Sequence, residues 1–332
     1  MDAPILVEVT RGPAVESRHR GEIAVVDAAG KLRQHLGDPE SLVCMRSLAK
    51  PFQALPLLTT GAANAFGFGP EELALFCGSL SGQDFQVKLV EEILARIGLN
   101  PQALQCGSHP PLHRASAQAL TNAGEKPTAL HHTCAGKHAA MLALCVHQKF
   151  PLEDYLNPEH PVQRLIVDAV AKMVGVPPEK IPVAVDGCGA PVFYVPLRHI
   201  ALGFARLAGA APGSPAAVLR DACLDNPRHI AGDGRLETVI MEALPGRVVA
   251  KTGAEGGFAL ALVQEGLGVA VKIEDGSSRA LNPTIVHLLG QLLTLTPEAQ
   301  EALEAFRQPA ILNHGKQEVG RIRPVFSLAG QV

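Results

Sequence analysis

Aromatic side chains are scarce in this sequence: they make up 4% of its 332 residues, and tryptophan is absent. Proteins that bind single-stranded nucleic acid stack bases on aromatic rings and carry clustered basic residues. Here the formal net charge is −3, and no basic run is present. We therefore expect no nucleic-acid partner.

Long apolar runs are missing too. No stretch reaches the roughly 18 apolar residues that a membrane-spanning helix needs, and the N-terminal MDAPILVEVTRGPAVE lacks the basic leader and apolar core of a signal peptide. The seven cysteines are odd in number and widely spread. This pattern favours reduced thiols, so we expect a cytoplasmic protein without a membrane partner.

Strand patterns lie at both ends of the chain. ILVEVT and GEIAVVDAAGKLRQHLG near the N-terminus are rich in β-branched residues around turn signals, with AAGK as a hairpin turn. Residues 247–277 read as three strands joined by glycine-rich turns, and 320–328 as a strand-like tail.

Helical periodicity fills the middle of the chain, as in 84–98, while 99–133 reads as loop because of its prolines and glycines. Such segregation predicts an α+β fold in which N- and C-terminal strands share one antiparallel sheet beside a helical layer. No interdomain linker is evident. We expect a single domain over 1–332, with a helical subdomain at roughly 60–245.

The stretch 44-CMRSLAKPFQALPLL-58 places Ser47 three residues before Lys50 at the start of a predicted helix over 47–58. Residues at this spacing lie on one helix face. A neutral lysine would activate the serine as a nucleophile, and this requires burial or a nearby cation to lower the lysine pKa by about 2–3 units. The alternative is ordinary helix capping by serine.

Two further motifs favour catalysis. Ser79 lies in the turn 77-CGSLSG-82, and Lys251 opens 251-KTG-253 at a predicted strand end. The order S-x-x-K, serine-containing turn, K-T-G is that of penicillin-recognising serine acyltransferases. In this reading Ser47 attacks an acyl carbon, Lys50 accepts its proton and Ser79 relays protons to the leaving amine. Lys251 adds a second positive charge that depresses the pKa of Lys50, and backbone N–H groups near Ser47 and Gly253 bind the oxyanion.

The match departs from β-lactamases at the central motif, which is Ser-Leu-Ser rather than Ser-Asp-Asn. No glutamate-bearing loop that would activate a deacylating water is evident. Hydrolysis of β-lactams is therefore in doubt.

Two cysteine-bearing stretches, 133-TCAGKHAAM-141 and 185-VDGCGAPV-192, form a second constellation. Thiolates of Cys134 and Cys188 with a nitrogen ligand would suit Zn²⁺. The spacing matches no metal motif, so the alternative is two buried cysteines and a glycine-rich helix start. His138 is either a substrate-side group or a packed histidine. Arg46 either faces a substrate carboxylate or forms a structural ion pair.

At these residues the chain resembles the L-asparaginase II family, the rhizobial-type class 3 asparaginases. The resemblance covers nearly the whole chain and is carried by these segments: LVEVTRGPAVESRHRG, RSLAKPFQALPLL, ELALFCGSLSGQ, TCAGKHAAML, VDGCGAPVF, AKTGAEG and VKIEDGSSRA. It implies a β-lactamase-like fold, hydrolysis of L-asparagine to aspartate and ammonia, and a homodimer.

The resemblance also implies roles for individual residues. They are a nucleophilic Ser47 with Lys50 beside it, a second pair of Ser79 and Lys251, a zinc site of Cys134, Lys137 and Cys188 that positions substrate, and an Asp186 that holds the substrate's α-amino group.

Two alternatives to an asparaginase remain. One is a serine acyltransferase or β-lactamase-like hydrolase acting on another amide. The other is a zinc-containing protein that binds small molecules without turnover.

Overall fold

The computed structural model describes residues 2–328, and within them two β-sheets lie against a set of helices. The strands are β1 (Ile5–Arg11), β2 (Ala14–Asp27), β3 (Leu32–Leu36), β4 (Leu42–Cys44), β5 (Val183–Val185), β6 (Pro191–Pro196), β7 (Val248–Gly253), β8 (Gly257–Leu262), β9 (Leu267–Ile273), β10 (Ala310–Leu312) and β11 (Glu318–Pro324). The α-helices are α1 (Lys50–Gln53), α2 (Leu55–Thr59), α3 (Ala62–Ala65), α4 (Pro70–Cys77), α5 (Asp84–Arg96), α6 (Arg114–Ala123), α7 (Ala135–Gln148), α8 (Pro161–Val174), α9 (Leu197–Ala208), α10 (Pro215–Asp225), α11 (Pro227–Ala231), α12 (Leu236–Ala243), α13 (Ser278–Leu292) and α14 (Pro297–Arg307). Short 3₁₀ helices cover Arg46–Ala49, Pro101–Ala103, Ala129–His131 and Pro178–Lys180.

The larger sheet joins the two ends of the chain. Its strand order is β10-β11-β1-β2-β9-β8-β7, with β3 paired to β2, and every pairing is antiparallel. The junction between N-terminal and C-terminal strands runs along β2 and β9, from Gly21↔Ile273 to Asp27↔Leu267. The predicted α+β class and the predicted sheet from both chain ends are confirmed.

The core lies on both faces of this sheet. All six residues of β8, GFALAL, are buried, as expected of a central strand covered on two sides. Helix α9 packs on β9, β2 and β8, and α13 contacts β8, β1 and β11. The approach of α9 is so close that a Cβ on Gly268 would lie 1.9 Å from the carbonyl oxygen of Ala201. A side chain at this position would therefore push α9 off the sheet.

The smaller sheet, of order β4-β6-β5, was not predicted as a sheet, and strand β6 was missed. Its strands are short, and β6 begins and ends with proline, which weakens any strand pattern. This sheet fixes the site segments: the Met45 N–H donates to the Phe193 carbonyl on β6 at 2.9 Å, and Asp186 follows β5 directly.

Two helix predictions need correction. The helix predicted over 47–58 is a 3₁₀ turn followed by the short helices α1 and α2, because Pro51 and Pro56 interrupt the hydrogen-bond ladder. The segment 99–133, predicted as loop, contains α6. None of the residues of α6 is buried, and Leu120 is its one large apolar residue, so its sequence gives little sign of a helix that packs on a core.

No helix among residues 2–328 is both long and apolar enough to cross a membrane. The seven cysteines, all in this range, are free thiols, and six of them are buried. The subdivision into one domain with a helical subdomain stays a prediction.

Candidate active site

Ser79 lies between two buried lysines that come from distant parts of the chain. Its Oγ accepts a hydrogen bond from Lys50 Nζ at 3.0 Å and one from Lys251 Nζ at 2.7 Å. Each amine also donates to a carbonyl oxygen, Lys50 to Thr133 and Lys251 to Thr252. The structure thus brings three of the four predicted catalytic residues into one hydrogen-bonded group.

Both lysines are 1% exposed, and their burial opposes positive charge. Burial lowers the pKa of Lys50, with a further lowering by the charge of Lys137 and opposition from Cys134. Burial and then the charge of Lys50 lower the pKa of Lys251 to about 7. At neutral pH such a pair can hold one amine neutral, which is the form that accepts a proton.

Ser47 is half-buried and lies one 3₁₀ turn before Lys50. Among the described residues no hydrogen bond involves its hydroxyl; it neither caps a helix nor reaches Lys50, whose amine is turned to Ser79. The residue before it, Arg46, has φ of 47°, a left-handed conformation that side chains with a Cβ rarely adopt. Backbone strain of this kind is found where a side chain must be presented to a ligand.

The remaining residues of the two motifs have structural contacts. Ser81 donates its hydroxyl to the Ala231 carbonyl at 2.6 Å, so this serine is engaged in holding the turn. Gly253, at the end of β7, lies against Met45 and Leu48, the neighbours of the Arg46–Ser47 pair: a Cβ there would come within 2.9 Å of Leu48. Gly253 therefore lies close to the turn that carries Ser47, and oxyanion binding by the N–H groups there stays a prediction.

A thiol cluster lies beside the lysines. Ligand atoms of Cys134, Asp186 and Cys188 are all within 4.8 Å of one another. Lys137 Nζ donates to Cys188 Sγ at 3.2 Å and is 3.8 Å from Asp186 Oδ2. The three predicted metal ligands are thus brought together, and Asp186 joins them as a fourth donor.

The charges of this cluster suit a cation. A hydrogen bond from Cys188 holds the pKa of Cys134 well below its usual range against burial, with help from Lys50 and Lys137. The pKa of Cys188 is raised by the same bond. Burial lowers the pKa of Lys137, but the thiols and Asp186 outweigh it and the net shift is upward.

Two buried thiols with an amine or carboxylate form a donor set that fits Zn²⁺. Lys137 would have to lose its proton to bind the metal, so binding there would release protons.

Arg46 forms an ion pair with Asp186. The sequence left such an ion pair as the alternative to an arginine that faces a substrate carboxylate. Arg46 Nε lies 2.7 Å from Asp186 Oδ1, and the same oxygen accepts from the Gly187 N–H at 2.8 Å. Both carboxylate oxygens of Asp186 are therefore engaged, since Oδ2 faces Lys137 and Cys188. Substrate binding by either residue stays a prediction.

His138 is fully buried, with Nδ1 at 2.7 Å from the Tyr155 hydroxyl. That hydroxyl also accepts a hydrogen bond from the Gln105 N–H at 2.9 Å. Burial, and then the charge of Lys137, holds the pKa of His138 well below its usual range. This is the geometry of a neutral, packed histidine, and a substrate contact stays a prediction.

Sequence reasoning missed two contributors to the site. The Thr133 carbonyl is a backbone acceptor for Lys50, and no side-chain pattern signals it. Glu237 is a 1% exposed carboxylate on α12, which packs on β7, the strand that carries Lys251. The only hint in the sequence was an acidic residue within the apolar segment LETVIMEAL.

A hydroxyl bonded to two buried amines, next to a nucleophile candidate, is an arrangement that can support the chemistry of a serine–lysine hydrolase or acyltransferase. The model of the L-asparaginase II family matches residues 7–324, and the chain belongs to this family. Membership supports an amide-hydrolysing enzyme. No curated protein sequence matches the chain significantly.

Several solved structures share part of the architecture at low identity. A crystal structure of Mglu in its native form is 15% identical over 82% of this chain, with a TM-score of 0.44. This chain spans 64% of the length of that Mglu chain. A β-lactamase from Mycobacterium bovis is 14% identical over 86% of this chain and 95% of its own, with a TM-score of 0.40. A structure from Bacteroides dorei described as a β-lactamase is 15% identical over 82% of this chain and 93% of its own, with a TM-score of 0.38.

Proposed function

We propose that the protein hydrolyses L-asparagine to L-aspartate and ammonia with Ser47 as the nucleophile. The observation that carries the proposal is the hydrogen-bonded group of Lys50, Ser79 and Lys251, in which two buried amines with lowered pKa flank one hydroxyl. Membership of the L-asparaginase II family supports the choice of an amide substrate.

In the acylation step, Ser47 Oγ forms a bond to the side-chain carbonyl carbon of asparagine and gives its proton to neutral Lys50. Lys50 lies three residues further on, so its amine must exchange its bond to Ser79 for one to Ser47. Backbone N–H groups beside Ser47 and Gly253 stabilise the oxyanion. The carbon–nitrogen bond then breaks as the leaving nitrogen takes a proton through Ser79, and ammonia departs.

In the second step, water attacks the carbonyl carbon of the aspartyl ester and gives a proton to the neutral amine of Lys50. The ester C–O bond breaks, Ser47 Oγ takes that proton back, and aspartate leaves. The hydrogen bonds of Ser79 to both lysines let a proton pass between them without crossing solvent, since all three groups are buried. The order of proton transfers is reversed relative to acylation, as general acid–base catalysis requires.

Cys134, Lys137 and Cys188 would hold the zinc ion, with Asp186 as a further donor. When bound, zinc supplies a fixed positive charge that orients the substrate. The ion pair of Asp186 with Arg46 links this cluster to the segment of Ser47, so the substrate's amino and carboxylate groups would bind between them.

Two assignments beyond the reaction are proposals as well. We propose a homodimer, which size-exclusion chromatography with light scattering tests. We also propose a cytoplasmic location, supported by the free thiols of the cysteines within residues 2–328.

The test is ammonia release from L-asparagine near pH 8 by the wild type and by Ser47→Ala. We expect turnover in the wild type and a loss of at least about 10³-fold in the variant, as for removal of a catalytic nucleophile. A loss of less than tenfold would reject Ser47 as the nucleophile. A folded wild type without turnover would reject asparagine as substrate, and a mass shift on Ser47 after exposure to a β-lactam would then support the acyltransferase alternative.

A further inference from the structure

The turn that carries Ser79 is a buried segment without regular secondary structure. Residues 78–83 form neither helix nor strand, and every one of them is buried. Backbone N–H and C=O groups in such a segment need hydrogen-bond partners, because they are removed from water. The position of Ser79 therefore depends on the contacts that this turn makes with other parts of the chain.

One side of the turn lies against residues 230–233, where α11 ends. The Ser79 N–H donates to the Ile230 carbonyl at 2.7 Å. The Ser81 hydroxyl donates to the Ala231 carbonyl at 2.6 Å. A shift of the 230–233 segment would therefore move the backbone of Ser79.

Gln83 closes the far end of this contact with its side-chain amide. It is 7% exposed, its Oε1 accepts from the Asp233 N–H at 2.7 Å, and its Nε2 donates to Asp233 Oδ2 at 3.0 Å. A reversed amide would set its NH₂ group against the Asp233 N–H and its oxygen against the carboxylate, so only one orientation fits. The contact is tight as well, since a Cβ on Gly232 would lie 2.4 Å from Gln83 Oε1.

Neighbouring residues hold both members of this pair in place. Arg228 binds the two carboxylate oxygens of Asp233, with Nε at 2.5 Å from Oδ1 and Nη2 at 2.9 Å from Oδ2. Gln86 Oε1 accepts from the N–H groups of Ser81, at 2.9 Å, and Gln83, at 3.3 Å. The pair of Gln83 and Asp233 thus joins two segments that are each fixed locally.

The bonds of the Ser79 hydroxyl leave little room for displacement. Its Oγ lies 3.0 Å from Lys50 Nζ and 2.7 Å from Lys251 Nζ, and the two lysines belong to different elements. Hydrogen bonds weaken steeply when donor and acceptor move out of line. Displacement of a catalytic group by about 1 Å can cost about 10²-fold in rate. The contacts that hold this turn therefore matter for catalysis.

We propose that Gln83 is a positioning residue, which fastens the Ser79 turn to Asp233 and so holds the Ser79 hydroxyl between the two lysines. This role rests on the proposed function, in which Ser79 relays protons. The side-chain amide of Gln83 bonds Asp233. It therefore acts on the reaction through the placement of Ser79.

The first test is steady-state ammonia release from L-asparagine by Gln83→Met, a side chain of similar length that makes neither bond to Asp233. Ser79 relays protons and does not bind the substrate, so we expect kcat to fall about tenfold or more while KM changes less than about twofold. An unchanged kcat would overturn the proposal. A raised KM with unchanged kcat would also overturn it, because Gln83 would then act on substrate binding.

An exchange of the two side-chain groups tests the pair itself. Gln83→Glu sets a second carboxylate against Asp233, and like charges repel, so we expect a larger loss of kcat than in Gln83→Met. Addition of Asp233→Asn restores a pair of one carboxylate and one amide with the two groups exchanged. This double variant should recover most of the lost kcat. A folded double variant without recovery would reject the pair as the cause.

The matched control is Arg228→Met. Arg228 also binds Asp233, but its side chain is 55% exposed, and its removal leaves both bonds of Gln83 in place. Exposed ion pairs contribute little, so we expect a slightly lower Tm and a kcat within about twofold of the wild type. A loss of kcat equal to that of Gln83→Met would show that any weakening around Asp233 has this effect, and would reject a specific role of Gln83.

The last test needs no catalysis and so separates this proposal from the proposed function. Urea unfolding is measured for Gln83→Met, Ser79→Ala and the double variant. If Gln83 holds Ser79 between the lysines, the double variant loses less free energy of unfolding than the sum of the single variants. Additive losses would overturn the proposal even if the enzyme is active, and a coupled result would stand even if asparagine is not the substrate. Should Gln83→Met not fold, Gln83→Asn replaces it in both tests, because its shorter amide cannot make both bonds to Asp233.

Discussion

The two serines of the site differ in almost every physical respect. Ser79 is buried and its hydroxyl is bonded to two lysines, whereas Ser47 is half-buried, without a hydrogen bond from its hydroxyl among the described residues. Ser79 is in a turn of ordinary backbone conformation, and Ser47 follows Arg46, whose φ is 47°. The more accessible serine is thus the one whose hydroxyl is not bonded to a lysine, and the serine bonded to both lysines is enclosed.

This difference suggests a division of labour. A nucleophile must reach the substrate, so exposure and a strained approach suit Ser47. A proton relay must stay bonded to its donors and acceptors, so enclosure suits Ser79. The opposite assignment, with Ser79 as nucleophile, would require substrate to enter the buried lysine pair.

The largest expected effects are losses of activity in variants of the two serines, and the sizes of these losses separate the two roles. Ser79→Ala should lower kcat about 10²–10³-fold, as for loss of a general acid–base group, which is less than the loss in Ser47→Ala. Steady-state ammonia release measures both variants.

The control for this prediction is Ser81→Ala in the same turn. Its hydroxyl is bonded to the Ala231 carbonyl, so we expect lower stability by about 1 kcal/mol and less than a tenfold loss of activity. A larger loss in Ser79→Ala than in Ser47→Ala would reverse the assignment of the two serines.

The second prediction concerns the thiol cluster of Cys134 and Cys188, which lies beside the lysines of the site. Cys188→Ala should lower zinc content from about one to below about 0.2 per chain, because it removes one of two thiolate ligands. Elemental analysis after purification without added metal measures this. Cys145→Ala, on the same helix as Lys137 but with a thiol that burial keeps protonated, should retain zinc. Equal zinc content in both variants would reject the site.

The third prediction uses the pH dependence of stability. Lys251 has a pKa of about 7 in the folded protein and about 10.4 when unfolded. Between these values the unfolded chain binds more protons, so the lysine's contribution to the free energy of unfolding rises with pH. We therefore expect the wild type to gain stability relative to Lys251→Met from about pH 7 to about pH 10. Urea unfolding at several pH values measures the difference, and a difference that is constant with pH would show that Lys251 is not perturbed.

The smallest expected effect tests the strain at Arg46. Arg46→Gly and Arg46→Ala both lose the ion pair with Asp186, but only glycine accepts a positive φ without cost. The glycine variant should be more stable than the alanine variant by about 1 kcal/mol. Urea unfolding of the two proteins gives this difference, and equal stabilities would argue that residue 46 is not strained.

Much of this arrangement could be predicted from sequence because it follows local patterns. The strands at both chain ends and helices such as α5 and α8 have clear apolar periodicity, and SLAK, SLSG and KTG mark three segments of the site. The bond of Ser79 to both lysines was not predictable in detail, because it depends on how three distant segments pack.

Other features had no sequence signal at all. The positive φ of Arg46 lies at the first residue of the 3₁₀ turn Arg46–Ala49, and arginine is not a residue that marks left-handed backbone. Glu237 reads as one more charged residue on an amphipathic helix until its burial is known. The strand β6 and the helix α6 were missed because proline and polar composition mask their periodicity.

The bonds of Ser79 also have a consequence for the order of folding. Its two lysine partners are 29 and 172 residues away along the chain, so the second bond closes a very long loop. Contacts of such separation form slowly, because loop closure must be completed first. Catalytic competence should therefore appear only in the final stage of refolding, after most helical signal has returned, and ammonia release would serve as a clock for completion of the fold.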